Sequence, residues 1–135
     1  MKNTGFASVN TIIGEGTSVT GDLKIAGSIR IEGDLYGSIE AEGWVQVGQF
    51  ARIKGDIVAE AASVGGIVEG NIIAKERTDL FETAVVFGNI ETKHLSVDND
   101  VLLNGQCNRL KSDDDFLNAK TQNAQKQANK KSMYR

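Results

Sequence analysis

The sequence has no proline, a single cysteine, a single histidine and few aromatic residues (6%). One cysteine excludes a disulfide framework, and one histidine beside it leaves too few ligands for a structural zinc site. The longest unbroken apolar run, Ala84–Phe87, has four residues, too few for a transmembrane helix. Residues 1–10 lack the apolar stretch of a secretory signal. These absences predict a single-domain cytoplasmic protein, and they leave its function open.

Charge is distributed unevenly along the 135 residues. Residues 1–107 contain eight Lys/Arg and fifteen Asp/Glu, a net charge of −7, whereas residues 108–135 contain seven Lys/Arg and three Asp, a net charge of +4. The second segment has no glycine and few aliphatic residues, so it buries too little apolar surface to offset its ordering entropy. We predict a flexible basic tail over 111–135, transiently helical around Asp115–Lys131, and a flexible segment over 1–10.

Glycine recurs at a nearly constant interval through the body of the chain. Six anchors are spaced by 16, 18, 15, 18 and 17 residues: Gly21, Gly37, Gly55, Gly70, Gly88 and Gly105. Two positions before them stand the aliphatic residues Val19, Leu35, Ile53, Val68, Val86 and Leu103. Two positions after them stand the apolar residues Leu23, Ile39, Ile57, Ile72, Ile90 and Cys107. The residues directly after the anchors are small or polar: Asp22, Ser38, Asp56, Asn71, Asn89 and Gln106. This repeat indicates a solenoid.

A second period, of two residues, runs inside the first. From residue 19 to residue 59 every odd position except Gln49 is Gly, Ala, Val, Ile or Leu, and most even positions are charged or polar. Such alternation indicates strands with one buried face, and the glycines permit corners between them. The parity changes near Ala61 and near His94, as expected at corners or bulges. We predict an all-β parallel solenoid of about six rungs, with three short strands per rung and disordered termini.

Three segments of this repeat resemble the bactofilins, a family of bacterial cytoskeletal proteins. They are Thr11–Thr17 (TIIGEGT), Ile31–Ile39 (IEGDLYGSI) and Ile53–Ile57 (IKGDI), and the resemblance extends over residues 11–107. It implies a right-handed parallel β-helix, which we assign to residues 11–110, and assembly into filaments without nucleotide. It also implies a scaffold at the inner face of the cell membrane that localises cell-wall enzymes or membrane proteins and thereby influences cell shape. Residues 1–10 offer only Phe6 and Val9 as a membrane-targeting segment, so peripheral membrane association is weakly encoded.

The open ends of a solenoid present unpaired backbone groups and a cross-section of apolar core, and this sequence has neither proline nor an obvious cap before the first rung. We therefore predict a polymerisation interface at each end. The N-terminal interface contains Val9, Ile12, Ile13 and Val19. The C-terminal interface contains Val101, Leu102, Leu103 and Leu110. The alternative is that residues 1–10 and 108–120 cover the ends as lids.

No pattern for catalysis or cofactor binding emerges, so we predict neither an enzyme nor a cofactor or metal site. Gly-Lys never occurs, which excludes a P-loop. His94 lies at a parity change, where an exposed corner residue is expected, and Cys107 is expected to be buried in its column. The alternative function is a left-handed β-helix, hexapeptide-repeat transferase or a subunit of one. That class keeps a strict six-residue phase, whereas the interval here varies between 15 and 18 residues.

Five aromatic residues fall at outward-facing positions: Tyr36, Trp44, Phe50, Phe81 and Phe87. Tyr36 and Phe87 share the position before an anchor with Lys54 and Glu69, so we expect these four residues to line one face of the solenoid. We predict that the aromatic set forms a lateral or partner face. Because the folded body is acidic, specific nucleic-acid binding is not expected, and the basic tail has anionic lipid or a neighbouring subunit as candidate partners.

Overall fold

The computed structural model describes residues 9–112 and 115–122, so most of the predicted flexible segments 1–10 and 111–135 lies outside the described residues. All strand pairings in the described part are parallel. The strands are β1 Val9–Ile13, β2 Ser18–Thr20, β3 Leu23–Ile25, β4 Ser28–Ile31, β5 Asp34–Tyr36, β6 Ile39–Ala41, β7 Trp44–Val47, β8 Arg52–Lys54, β9 Ile57–Val64, β10 Ile67–Glu69, β11 Ile72–Leu80, β12 Val85–Phe87, β13 Ile90–Val97, β14 Leu102–Asn104 and β15 Cys107–Arg109. A helix, α1, spans residues 115–122.

The pairing arranges the chain as a three-walled solenoid. Wall A consists of β2, β5, β8, β10, β12 and β14, which define rungs 1 to 6. Wall B consists of β3, β6, β15 and the first parts of β9, β11 and β13. Wall C consists of β1, β4, β7 and the second parts of the same three strands. The all-β solenoid of about six rungs predicted from the sequence is confirmed.

Alternation directs every second side chain into the interior, where the rungs align them in columns. The wall A column contains Val19, Leu35, Ile53, Val68, Val86 and Leu103, in the registers that the glycine anchors predict. Its four middle members are completely buried, whereas its first and last members are only partly buried. Full burial of one aliphatic side chain stabilises a fold by about 1.5–3 kcal/mol. The columns therefore supply the main driving force for folding and are incomplete only at the two ends.

The six anchor glycines form a column at the corner between walls A and B. Their φ angles lie between 129° and 159°. A Cβ atom on any anchor from Gly37 onward would overlap the carbonyl oxygen of the anchor one rung before it. The repeated glycine is therefore required by close packing of successive corners as well as by backbone conformation.

A polar ladder follows the glycine column. The backbone N–H of Asn71 donates to Oδ1 of Asp56 at 2.8 Å, that of Asn89 to Oδ1 of Asn71 at 2.9 Å, and that of Gln106 to Oδ1 of Asn89 at 3.0 Å. Ser38 and Asp56 donate in the same way to the residues one rung before them. These hydrogen bonds join neighbouring rungs, which explains why a polar residue follows each anchor from Gly21 to Gly88.

The helix α1 packs on the outside of wall B. Ser112 accepts a hydrogen bond from the Asp115 N–H, and the Asp115 carboxylate accepts one from the Lys111 N–H, so the helix begins with a capping arrangement. Phe116 and Ala119 on the apolar side of α1 pack in one cluster with Val58, Ile73 and Leu110. The Lys120 ammonium pairs with the Glu40 carboxylate at 2.6 Å. Within 115–122 the predicted helix is thus ordered against the solenoid, and residues 123–131 lie outside the described part.

Candidate assembly surfaces

The C-terminal end of the solenoid is an open cross-section of its core. The edge strands there are β14, β15 and the second part of β13. Leu95 and Val97 end two columns of wall C and are 38% and 49% exposed. One rung earlier, Thr78 and Leu80 occupy the same columns and are 0% and 1% exposed. The difference arises because no strand within 9–112 or 115–122 pairs with the outer edge of the second part of β13.

The wall B columns end at Cys107 and Arg109, which are in register with Ile90 and Thr92. The prediction that Cys107 lies in the inward column is correct, but the prediction that it is buried is wrong, because rung 6 is the last rung and leaves the side chain exposed. Partial burial against the end of the core raises the pKa of the Cys107 thiol. The thiol therefore stays protonated at neutral pH and contributes as an apolar group.

The N-terminal end exposes its core less. Its edge strands are β1, β2 and β3. Val19, Leu23 and Ile25 are partly buried and pack on the core from rung 1, and Ile13 is buried. Within residues 9–112 and 115–122, each end therefore presents aliphatic side chains bordered by strand edges whose backbone groups have no further strand to pair with.

The residues predicted for the end interfaces differ in where the structure places them. Ile13, Val19, Val101 and Leu103 belong to the interior or pack on it. Ile12 and Leu102 point out of the walls, since they are in register with Arg30 and Val85 and are exposed. Leu110 is buried beneath α1 on wall B, away from the end face. Val9 begins β1, and its side chain lies outside the described part.

Four end residues escaped the sequence prediction: Leu23, Ile25, Leu95 and Val97. Leu23 belongs to the set two positions after an anchor, so extending that column to the first rung identifies it. Leu95 and Val97 follow the parity change near His94. Strict alternation carried through that point assigns both side chains to the outside, whereas their register with Thr78 and Leu80 directs them inward.

The predicted aromatic face is divided between two walls and a corner. Tyr36 and Phe87 lie on the outside of wall A and are 41% and 43% exposed. Phe50 and Phe81 are exposed in the turns between walls C and A. Trp44 begins β7 on wall C and is half-buried. Wall A therefore holds the aromatic pair that shares a column with Lys54 and Glu69.

The single histidine shares a surface pocket with other polar side chains. His94 is exposed at the corner between walls B and C, as expected, and borders a pocket of about 360 Å³ shared with Lys93, Cys107 and Arg109. No group of three or more His, Cys, Asp or Glu residues within the described ranges has the arrangement of a metal site. In the same part of the chain, no helix has the length and apolar character needed to span a membrane.

Comparisons with known proteins agree with this architecture. A family model described as bactofilin, polymer-forming cytoskeletal, matches residues 11–108. The curated protein Bactofilin BacO of Myxococcus xanthus is 25% identical over 88 residues, which cover 65% of this chain and 70% of that protein. No solved structure matches the chain. The family match covers nearly the whole solenoid, both open ends included.

Proposed function

The chain belongs to the bactofilin family of polymer-forming cytoskeletal proteins, and we propose on this premise that its subunits join end to end into scaffold filaments. The observation that carries the proposal is the uncovered core at the C-terminal end, where Leu95 and Val97 remain exposed. A second copy stacked on this end would bury both side chains and pair with the free strand edges.

The shape of the two ends supports direct stacking. Both ends have the same three walls, and the inner columns of wall A terminate in Val19 at one end and Leu103 at the other. A subunit added at either end meets aliphatic side chains in the interior and strand edges at the border. Stacking therefore continues the interaction that already joins one rung to the next inside the subunit.

We propose that this assembly needs no nucleotide. The sequence lacks the Gly-Lys pair of a P-loop, and burial of apolar side chains supplies a driving force that requires no hydrolysis. Assembly then depends on protein concentration and becomes stronger with excluded salts such as sulfate.

We further propose that the filaments localise cell-envelope or cell-shape machinery on the cytoplasmic face of the cell membrane, with cell-wall enzymes or membrane proteins as partners. Membership of the cytoskeletal family supports this role. Residues 108–135 carry a net charge of +4, which favours contact with anionic lipid headgroups or with acidic partner surfaces. Walls A and C leave outward side chains available for docking along a filament.

Two neighbouring leucines on β14 provide the test of end-to-end assembly. Leu103→Glu places a carboxylate in the end of the core, and burying it unpaired at a junction costs several kcal/mol. Leu102→Glu places the same group on the outside of wall A. We expect sedimentable filaments, without added nucleotide, from the wild type and Leu102→Glu but not from Leu103→Glu, with unchanged circular dichroism.

If Leu103→Glu formed filaments equal to those of the wild type in amount and length, the result would contradict the proposal. A wild type that forms a stable trimer and no filament would instead support the hexapeptide-repeat transferase alternative.

A further inference from the structure

Wall A has an outer surface that no described part of the chain covers. Wall B is partly covered by α1, and the outer positions of wall C are mainly polar, with Arg30, Gln46 and Asp79 among them. Wall A instead carries large apolar side chains at exposed or half-buried outer positions: Tyr36, Ile67, Val85, Phe87 and Leu102. The other outer positions of wall A are polar or charged: Ser18, Thr20, Asp34, Arg52, Lys54, Glu69 and Asn104. Large apolar side chains grouped on an exposed wall indicate an interaction surface.

One outer column of wall A has an ordered sequence of side chains. The strand register aligns Thr20, Tyr36, Lys54, Glu69, Phe87 and Asn104 on rungs 1 to 6. We call this column the outer stripe. Its two ends are polar, aromatic residues stand at rungs 2 and 5, and opposite charges stand at rungs 3 and 4. The Lys54 ammonium lies 5.8 Å from the centre of the Tyr36 ring.

The outer stripe is complementary to the outer stripe of a second copy whose rungs run in the opposite order. A two-fold axis parallel to the strands brings a second copy face to face, keeps each residue in its column and inverts the order of rungs. Rung 3 then faces rung 4, so Lys54 of each copy meets Glu69 of the other. Rung 2 faces rung 5, so Tyr36 meets Phe87. Both contacts occur twice because the arrangement is symmetric.

The parallel arrangement lacks this complementarity. A face-to-face copy that keeps the rung order is related by a two-fold axis along the solenoid, which exchanges the two outer columns of wall A. Lys54 would then oppose Arg52 of the second copy, and Glu69 would oppose Ile67. Like charges placed directly opposite each other are unfavourable, whereas opposite charges between aromatic contacts are favourable. Within the outer stripe, charge complementarity therefore favours the antiparallel arrangement. In the other outer column of wall A this arrangement sets Asp34 against Val85 and Arg52 against Ile67, while Asp34 and Arg52 remain neighbours within each chain.

We propose that wall A is a lateral interface between two filaments of this protein, in which the outer stripes of facing subunits pack antiparallel. Lys54 pairs with Glu69 of the facing subunit and Tyr36 packs on Phe87. The inference rests on the end-to-end assembly proposed above, to which it adds a site and a direction of lateral association.

The size of wall A explains why the interface requires filaments. Six rungs about 4.8 Å apart and strands about 10 Å long give a surface of roughly 300 Å². This area is well below the roughly 800 Å² per partner that stable protein complexes bury. Along two filaments the contact repeats at every subunit, so many weak contacts act together. Isolated subunits are therefore expected to remain unpaired through wall A.

Charge reversal tests the proposed pairing. In filaments of Lys54→Glu each proposed contact between rungs 3 and 4 would join two carboxylates, and in filaments of Glu69→Lys it would join two ammonium groups. We expect paired filaments from the wild type in electron micrographs and single filaments from each variant. Arg30→Glu, which makes the same charge change on wall C as Lys54→Glu makes on wall A, should retain pairs. The surface contact of Arg30 with Glu32 is worth little in stability.

Mixing the two variants separates contacts between chains from contacts within a chain, since Lys54 and Glu69 are also neighbours in one sheet. Filaments of Lys54→Glu and Glu69→Lys, assembled separately and then combined, should pair again, because only the contact between chains becomes attractive. Mixed filaments that stay single would overturn the proposal. Wild-type filaments that are never paired would also overturn it while leaving end-to-end assembly intact.

Disulfide formation tests the direction. Filaments of Tyr36→Cys combined with filaments of Phe87→Cys should form 36–87 disulfides under mild oxidation, identified by mass spectrometry of the linked peptides. Tyr36→Cys filaments alone should not form 36–36 disulfides, because antiparallel packing separates these positions by three rungs, about 14 Å. Abundant 36–36 disulfides, or no 36–87 disulfide in the mixture, would refute the antiparallel interface.

Discussion

At the scale of single residues, two kinds of position decide how a substitution changes stability. At the first kind the backbone leaves no room for a Cβ atom, and at the second a buried hydroxyl has no hydrogen-bond partner among the described residues. The anchor glycines belong to the first kind, because each corner packs directly on the corner before it. Thr78 belongs to the second kind, because its completely buried Oγ1 has no hydrogen-bond partner among the described residues. Both kinds lead to stability predictions with matched controls inside the same chain.

Gly70→Ala is expected to destabilise the protein by about 3 kcal/mol or more. Its Cβ would overlap the Gly55 carbonyl oxygen, and its φ of 159° lies at the edge of the range that favours glycine. Gly14→Ala is the control, because nothing lies within 4 Å of the added atom. Thermal melting monitored by circular dichroism measures both variants. Equal melting temperatures for the two would show that the corners do not pack as described.

Thr78→Val is expected to raise the free energy of unfolding by about 1 kcal/mol, because it replaces an unpaired hydroxyl by a methyl group of the same shape. Thr92→Val is the control. Thr92 is also buried, but its hydroxyl donates to the His94 carbonyl oxygen at 3.4 Å. Urea denaturation should show a gain for the first variant and none for the second. A loss of stability in Thr78→Val would mean that its hydroxyl is hydrogen-bonded.

At the scale of elements, the strands repeat one pattern and α1 is the exception. Each strand pairs with the strand one rung away, so a local pattern specifies both its conformation and its neighbours. The helix packs on Val58 and Ile73, which lie more than 40 residues earlier in the sequence. It covers part of wall B and thereby limits the walls that remain free for lateral contacts.

Ala119→Asp is expected to detach α1 from wall B, because Ala119 is 7% exposed and a carboxylate there would be buried without a partner. We expect the free energy that holds α1 on wall B to fall by about 2 kcal/mol, which corresponds to roughly thirty-fold faster amide hydrogen exchange in the helix. Asn118→Asp adds the same group at an exposed neighbouring position and should have little effect. Unchanged exchange in Ala119→Asp would show that the helix does not depend on this contact.

The same distinction explains what the sequence could predict. Gly21 to Gly105 and their apolar neighbours predicted the rungs and the wall A column, because each rung repeats the same local requirements. Ile12 and Leu102 were assigned to the ends from their position in the chain, whereas their registers direct them outward. Leu110 depends on packing beneath α1, which leaves no periodic signal. Features that repeat were predictable, and features made by a single distant contact were not.

At the scale of the whole molecule, one interaction, made five times, joins the six rungs of wall A, and the strand edges that make it lie again at both ends of the described solenoid. The interior columns are closed in the middle rungs and open at Leu95 and Val97. The proposed end-to-end assembly and the proposed lateral pairing use different surfaces, the open ends and wall A. A variant can therefore lose one type of association and keep the other.

The axial spacing in the filaments tests end-to-end stacking most directly. If the strand ladders continue through the junction, fibre diffraction or electron cryomicroscopy should show rungs about 4.8 Å apart along the filament axis, with each subunit adding six rungs, or about 29 Å. A 4.8 Å rung repeat that runs perpendicular to the filament axis, or an axial rise per subunit well above 29 Å, would contradict stacking through the open ends.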